Sequence, residues 1–153
     1  MARIKLFSVD EAEKTLPLVK RIVGDIVKTF TEREKRVLER QKLPPTPAPG
    51  SSSEEKAFQL ERDIDSMAVE IGRYNEELQA IGVELKDLRI GLIDFFSRYE
   101  GRIVYLCWKL DEGETLAWWH DLQNGFRGRQ PITPANRSRF KGLAEGERYV
   151  ELA

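Results

Sequence analysis

The sequence predicts an α+β fold: a long antiparallel two-helix hairpin packed on a small three-stranded antiparallel β-meander, followed by an irregular C-terminal tail. Three observations predict it. Apolar residues repeat at helical spacing on both sides of a segment rich in proline and serine. The spacing changes to strand-like alternation between residues 92 and 120, where aromatic residues are frequent. The chain has 153 residues, 41% of them hydrophobic, which fits one domain with a substantial core.

The first helix is predicted over residues 8–40. Ser8 and Glu11 have the spacing of a capping box, in which the serine hydroxyl and the glutamate carboxylate each accept a hydrogen bond from the other residue's amide. Apolar residues then follow in steps of three and four, forming one seam of Ala12, Leu16, Val19, Val23, Ile26, Phe30 and Val37. Pro17 lacks an amide hydrogen, so we expect it to kink this helix or to divide it.

Residues 41–53 contain four prolines and three serines, which predicts a flexible, exposed linker. The second helix is predicted over residues 54–81, with Gly82 ending it. Its seam consists of Ala57, Leu60, Ile64, Met67, Ile71, Tyr74, Leu78 and Ile81. Two such seams joined by a linker are expected to pack antiparallel. A lone helix pair leaves apolar surface uncovered, so the sequence also predicts a homo-oligomer with coiled-coil-like packing.

The β-meander is predicted over residues 92–120. Its strands are Leu92–Phe96, Ile103–Leu110 and Thr115–His120. Between them, Glu100-Gly101 and Glu112-Gly113 have the composition of two-residue hairpin turns. Turns of this length fix which residues face each other, so the register follows from the sequence. It pairs Asp94 with Cys107, Cys107 with Trp118, Phe96 with Tyr105, and Tyr105 with His120.

This register gives the sheet two different faces. One is wholly apolar and is expected to pack on the helices; it holds Ile93, Phe95, Val104, Leu106, Trp108, Leu110, Ala117 and Trp119. The other, which we call the mixed face, holds Leu92, Asp94, Phe96, Tyr105, Cys107, Lys109, Leu116, Trp118 and His120. A face exposed to water is normally more polar than this. We therefore expect the tail, a second copy or a ligand to cover the mixed face.

The mixed face carries the only histidine and the only cysteine of the chain. With Arg129 it forms the candidate surface for a ligand or partner, made of Asp94, Tyr105, Cys107, Trp118, His120 and Arg129. A divalent metal is the possible cofactor, held by Asp94, Glu112 and His120 with Cys107 as a further donor. His120 is expected on an edge strand, where its replacement by alanine costs little stability.

A catalytic role is less favoured than a binding role. Cys107, His120 and Asp94 form a conceivable nucleophilic triad, but burial among aromatic residues raises the pKa of a thiol. The chain has no second histidine, no Cys-x-x-Cys pair and no glycine-rich phosphate loop. The sequence therefore predicts no catalytic residue and no organic cofactor.

The tail, residues 121–153, is predicted to be basic in its first half. Between residues 127 and 141 there is no acidic residue, and the five cations are Arg127, Arg129, Arg137, Arg139 and Lys141. Arginines suit phosphates and the flanking Phe126 and Phe140 can stack on bases, so nucleic acid is one possible partner. The formal net charge of -1 gives the whole chain no attraction to nucleic acid, and a solvated basic tail is the favoured interpretation.

Several short motifs together resemble a known family. They are Asp10-Glu11-Ala12, Leu16-Pro17-Leu18, Glu84-Leu85-Lys86-Asp87, Gly91-Leu92-Ile93-Asp94-Phe95, Leu106-Cys107-Trp108, Trp119-His120, Gly125-Phe126 and Arg129-Gln130-Pro131. Over roughly the first 132 residues the chain is similar to an uncharacterised bacterial family, the domain of unknown function number 2203. That family typically has a Gly-Glu pair after the Cys-Trp strand, where this chain has Asp111-Glu112. The resemblance supports the architecture and implies no activity.

These observations rank three functions. A non-enzymatic interaction or homo-oligomerising module is the leading prediction. Binding of a small ligand or divalent metal at Asp94 and His120 is the alternative, and nucleic-acid binding by the tail is the third. Charged residues interrupt every apolar run before about 18 residues, and no signal peptide precedes the first helix, so we expect a cytoplasmic protein with no membrane partner.

Overall fold

The computed structural model describes residues 1–153 and has two long helices, α1 (Val9–Gln41) and α2 (Ser52–Ile81). The strands are β1 (Ala2–Ile4), β2 (Val83–Asp87), β3 (Leu92–Tyr99), β4 (Arg102–Lys109), β5 (Trp118–Asp121), β6 (Gln130–Pro131), β7 (Phe140–Lys141) and β8 (Val150–Leu152). Short 3₁₀ turns cover Leu110–Glu112, Phe126–Gly128 and Arg137–Arg139. The α+β prediction, a helical hairpin on an antiparallel sheet, is confirmed, with more strands than the three expected.

Helix α1 begins at the predicted capping box. The Ser8 hydroxyl accepts from the Glu11 amide at 3.1 Å, and the Ser8 amide donates to the Glu11 carboxylate at 3.0 Å. The helix then runs unbroken to Gln41, so the expectation that Pro17 divides it is wrong. Pro17 is exposed, and the Glu13 carbonyl is the one that it leaves without a helical donor. Burial of Leu16 and Val19 on the opposite side holds the two turns together.

The two helices run antiparallel, as three contacts between side chains of α1 and residues of α2 show. Arg33 donates to the Ile64 carbonyl, Arg36 pairs with Asp63, and Arg40 pairs with Glu61. Helix α2 begins at Ser52, two residues before the predicted start, because the Ser51 hydroxyl accepts from the Glu54 amide and caps it. Neither helix combines the length and hydropathy needed to cross a bilayer.

The meander is the centre of a larger sheet. The strand order is β2-β3-β4-β5-β6, all antiparallel, and β7 pairs with the far end of β3. Strands β1 and β8 form a separate two-stranded sheet. The tail is therefore not irregular throughout, since it supplies β6, β7 and β8. These three strands are stabilised by pairing with strands elsewhere in the chain. Their own sequences show no strand pattern, so they could not be predicted.

The predicted register of β3, β4 and β5 is confirmed for all four pairs. Glu100 and Gly101 both have positive φ, 50° and 79°, as a two-residue turn of the primed type requires. The second turn is different: the chain leaves the sheet at Leu110 and rejoins it at Trp118. The pairing is still as predicted. In each pair of β4 and β5, the two residues are equally distant in sequence from Glu112-Gly113, as they would be around a two-residue turn.

Three residues near the second turn lie elsewhere than predicted. Leu116, expected on the mixed face, is buried in the main core, and its amide donates to the Glu13 carboxylate at 2.9 Å. Ala117, expected on the apolar face, is exposed. Leu110 begins the 3₁₀ turn rather than ending β4, and it packs against the edge of the main core.

The main core lies between the apolar face of the sheet and the first half of α1. Its largest sheet residues are Phe95, Tyr99, Trp108, Trp119 and Phe140, and no residue of α1 beyond Ile26 is buried. The second half of α1 and the first half of α2 extend beyond the sheet and pack mainly on each other. A smaller apolar cluster lies at one end of the mixed face. There Phe96 and Tyr105 of the sheet pack with Ile4 and Leu6 near the N-terminus and with Val150 and Leu152 near the C-terminus.

Candidate metal centre

Three neighbouring strands bring Asp94, Cys107 and His120 together on the mixed face. Asp94 of β3 is paired with Cys107 of β4, and His120 of β5 is paired with Tyr105, two residues before Cys107. The potential ligand atoms of the three residues lie within 4.8 Å of one another. Asp94 and His120 are 2% exposed and Cys107 is fully buried. We call these three residues the centre.

His120 is held through both ring nitrogens. Nδ1 lies 2.8 Å from the backbone carbonyl oxygen of Asp121, and Nε2 lies 3.2 Å from Oδ1 of Asp94. A carbonyl oxygen can only accept, so Nδ1 carries a hydrogen and donates it. Nε2 is then the nitrogen that faces the rest of the centre. Histidines that bind metals are commonly oriented in this way, by donation from the other ring nitrogen to a carbonyl.

Burial and hydrogen bonding act in opposite directions on His120. Burial lowers its pKa, but hydrogen bonds to Asp94 and to the Asp121 carbonyl outweigh burial and leave the pKa raised. For Cys107, burial raises the pKa and the Asp94 charge raises it further. Without a metal, Cys107 is therefore a protonated thiol at neutral pH, which counts against the nucleophilic triad.

His120 does not lie on an edge strand, contrary to the sequence-based expectation. Strand β5 is flanked by β4 on one side and by β6 on the other. The error arose because β6, which contains only Gln130 and Pro131, is too short to be recognised from its pattern. Replacement of His120 consequently affects a buried position and not a peripheral one.

Tyr105 and two charged residues of β2 border the centre. The ring centroids of Tyr105 and His120 are 5.3 Å apart. Lys86 Nζ donates to the Tyr105 hydroxyl at 3.2 Å and pairs with Glu84 at 2.8 Å. Glu84 and Lys86 were not among the predicted site residues, because no strand was predicted between α2 and the meander. The available signal was that apolar residues alternate with both of them along β2.

Glu112 and Arg129 form a separate pair beside the centre. The Glu112 carboxylate accepts from Arg129 Nη2 at 2.6 and 2.8 Å and from the Lys109 amide at 2.9 Å. The Arg129 guanidinium lies 4.9 Å from the centroid of Trp118 and 4.8 Å from that of Phe126. The three potential metal ligands that the fold brings together are therefore Asp94, Cys107 and His120. Glu112, which was predicted as a ligand, is not among them because Arg129 binds its carboxylate.

The five tail cations do not form one surface directed at a ligand. Arg129 belongs to the neighbourhood of the centre, whereas Arg137 pairs with Asp10 and Glu13 of α1. Arg139 lies 4.0 Å from Glu100. Arg127 and Lys141 are exposed. Acidic partners thus engage three of the five residues predicted to bind phosphate or nucleic acid, which weakens that interpretation.

The centre fits a divalent transition metal. Zinc binds nitrogen, oxygen and sulfur at about 2.0–2.3 Å, which places tetrahedral ligand atoms about 3.3–3.8 Å apart. The donor atoms of the centre are within 4.8 Å, so side-chain movements of about 1 Å bring them to that spacing. A divalent ion with one carboxylate and one thiolate is also electrically neutral, which suits a buried position.

No curated protein and no solved structure matches the chain. A family described as an uncharacterized conserved protein, DUF2203, matches residues 5–132. That range contains Asp94, Cys107, Glu112, His120 and Arg129, which the fold brings into one neighbourhood. Since the match spans most of the 153 residues, the chain belongs to the DUF2203 family.

Proposed function

We propose that the protein binds a divalent transition metal of the zinc class at Asp94, Cys107 and His120. One observation carries the proposal: a buried nitrogen, oxygen and sulfur donor, each on a different strand, lie within 4.8 Å of one another. The hydrogen bond from His120 Nδ1 to a carbonyl supports it, because it directs Nε2 towards the other two donors.

A metal also resolves the charge state of the centre. Without one, a hydrogen bond from Nε2 to the Asp94 carboxylate requires a buried imidazolium, and burying an ion pair carries a large desolvation penalty. A bound metal replaces the proton on Nε2 and the proton on the Cys107 thiol. Metal affinity should therefore fall as the pH is lowered, since protons compete for both donors.

The number of donors indicates what kind of metal site this is. Structural zinc sites usually have four protein ligands, whereas sites that bind or activate a further molecule have three and keep one position for it. The centre supplies three. We therefore propose that the fourth ligand is water or a small molecule and that the site serves ligand binding more than folding.

Titration of metal-free protein with Co²⁺ tests the metal centre, because cobalt bound to a thiolate gives characteristic absorption. We expect one equivalent to bind, with the thiolate band lost in Cys107→Ser and affinity reduced at least about tenfold in Asp94→Asn. Asp111→Asn is the matched control, since this carboxylate is 73% exposed and pairs only with Lys109. Substoichiometric binding, or equal binding by the Asp94 and Asp111 variants, would contradict the proposal.

A second proposed function is self-association through apolar side chains that α1 and α2 leave exposed. Phe58 and Val69 are 61% and 58% exposed, and their spacing of 11 residues places them on the same side of α2. On α1, Leu38 is 58% exposed. Helix α2 has eight acidic and three basic residues, while α1 has seven acidic and eight basic ones.

The proposed occupant is a second copy of this chain, with α1 of one copy against α2 of the other. This arrangement covers the exposed apolar residues in coiled-coil-like packing and sets the acidic helix against the more basic one. Sedimentation at micromolar concentration should show a dimer that Phe58→Glu dissociates, whereas Gln59→Glu, on a different side of α2, should leave it intact. A monomeric wild-type protein would refute this second proposal.

We also propose a cytoplasmic location. A metal centre that uses a lone thiolate requires a reduced cysteine, and the cytoplasm keeps thiols reduced. Cys107 is the only cysteine of the chain.

A further inference from the structure

Arg129 occupies an unusually constrained position beside the centre. It immediately precedes β6, and its guanidinium carbon lies 4.9 Å from the centroid of the Trp118 ring and 4.8 Å from that of the Phe126 ring. Trp118 is paired directly with Cys107 across the sheet. Burial is the main cause of the raised pKa of the Cys107 thiol, and the positive charge of Arg129 lies close enough to lower that pKa in part. The arginine is thus a fixed cation next to the centre, with only 10% of its side chain exposed.

The hydrogen bonds of Arg129 are incomplete. An arginine that binds a carboxylate in the two-pronged manner uses two nitrogens, whereas here Nη2 alone donates to both oxygens of Glu112. Nε is buried and has no acceptor. The Trp118 and Phe126 rings both lie against the guanidinium and restrict its rotation. A buried donor of a charged group without an acceptor is uncommon and indicates that an acceptor is missing.

We propose that Arg129 binds a small carboxylate anion whose other oxygen takes the open position on the metal. This inference rests on the proposed metal centre. A carboxylate matches because it is planar, is negatively charged and has two oxygens, one for Nε and one for the ion. Glu112 accepts from Nη2 and so leaves Nε for the anion.

The test uses cobalt-loaded protein titrated with sodium acetate at constant ionic strength, followed by visible absorption. Acetate should shift the cobalt bands of the wild-type protein. In Arg129→Gln the acetate dissociation constant should rise about tenfold or more, while cobalt affinity stays within about threefold. Arg129→Lys should fail to restore acetate binding, because it keeps the charge but lacks Nε. Arg127→Gln, an exposed arginine two residues away, is the matched control and should behave as wild type.

A second measurement takes its readout from the wild-type protein and uses a variant only for assignment. In zinc-loaded wild-type protein labelled with ¹⁵N, acetate should shift the Arg129 Nε–H resonance, assigned by its loss in Arg129→Lys. Cobalt binding with no acetate response, or full acetate binding by either Arg129 variant, would overturn this inference and leave the metal centre intact. Failure of the wild-type protein to bind cobalt would overturn the metal centre and this inference together.

Discussion

Replacement of His120 by alanine should destabilise the metal-free protein strongly. The ring is 2% exposed and donates to the Asp121 carbonyl, and its Nε2 lies 3.2 Å from Asp94. Removing one partner of a buried charged pair typically costs about 3–5 kcal/mol, because the other charge stays buried without compensation. For a domain of this size, we expect the melting temperature to fall by about 6–20 °C.

Denaturant unfolding of four proteins separates the charge effect from the loss of packing. They are the wild type, His120→Ala, Asp94→Asn and the double variant. Asparagine removes the buried charge, so the double variant should be more stable than the sum of the two single losses predicts, by about 1–3 kcal/mol. Strict additivity, or a loss below about 1 kcal/mol in His120→Ala, would refute the account of a buried, coupled pair.

Addition of zinc extends the same prediction. A ligand that binds only the folded state stabilises it by about 2.7 kcal/mol when its concentration is 100 times the dissociation constant. Wild-type protein should show this rise in the free energy of unfolding and His120→Ala should not. An equal rise in both proteins would place the zinc elsewhere on the chain.

Three further predictions follow from other parts of the fold. The pKa of His120 is raised in the folded metal-free state, so its contribution to stability should be complete below its unfolded-state pKa and should be lost as the pH rises through its folded-state pKa. Urea unfolding as a function of pH should show this loss of stability. The His120→Gln variant should not show it. Insertion of seven glycine and serine residues between Pro47 and Ala48 should cost about 0.6 kcal/mol or less, whereas Ser51→Ala, which removes the cap of α2, should cost about 1 kcal/mol. Gly91→Ala should cost more than about 2 kcal/mol, because Gly91 has φ +67° and a β-carbon there would lie 2.7 Å from Val23; chemical denaturation with Gly72→Ala as the unhindered control measures the difference.

Much of the centre could be predicted because its geometry depends on short-range patterns. The Glu100-Gly101 turn and the alternation of residues in β3 and β4 determine that Asp94 faces Cys107. His120 was placed correctly although the second turn was not, since a longer excursion of matching length preserves the pairing. The start of α1 was also predictable, because the capping Ser8 hydroxyl acts on an amide three residues away, whereas α2 was started two residues late because its cap, Ser51, was assigned to the linker.

The errors concern contacts between residues far apart in the chain. Glu112 was expected at the metal because nothing near it in sequence shows that Arg129 engages its carboxylate. Leu116 faces the main core because Glu13, 103 positions earlier, accepts a hydrogen bond from its amide. Strands β1 and β8 form from the two ends of the chain. None of these contacts produces a periodic pattern in the sequence around the residues that form it.

The depth of the centre has a consequence for how fast it exchanges its metal. With Asp94, Cys107 and His120 at most 2% exposed, an ion can reach or leave the donors only while the surrounding strands are open. Exchange then proceeds at the rate of local opening and not at the rate of diffusion. A preparation should therefore retain the metal that was most abundant while the chain folded, and a chelator added at moderate temperature should remove it slowly.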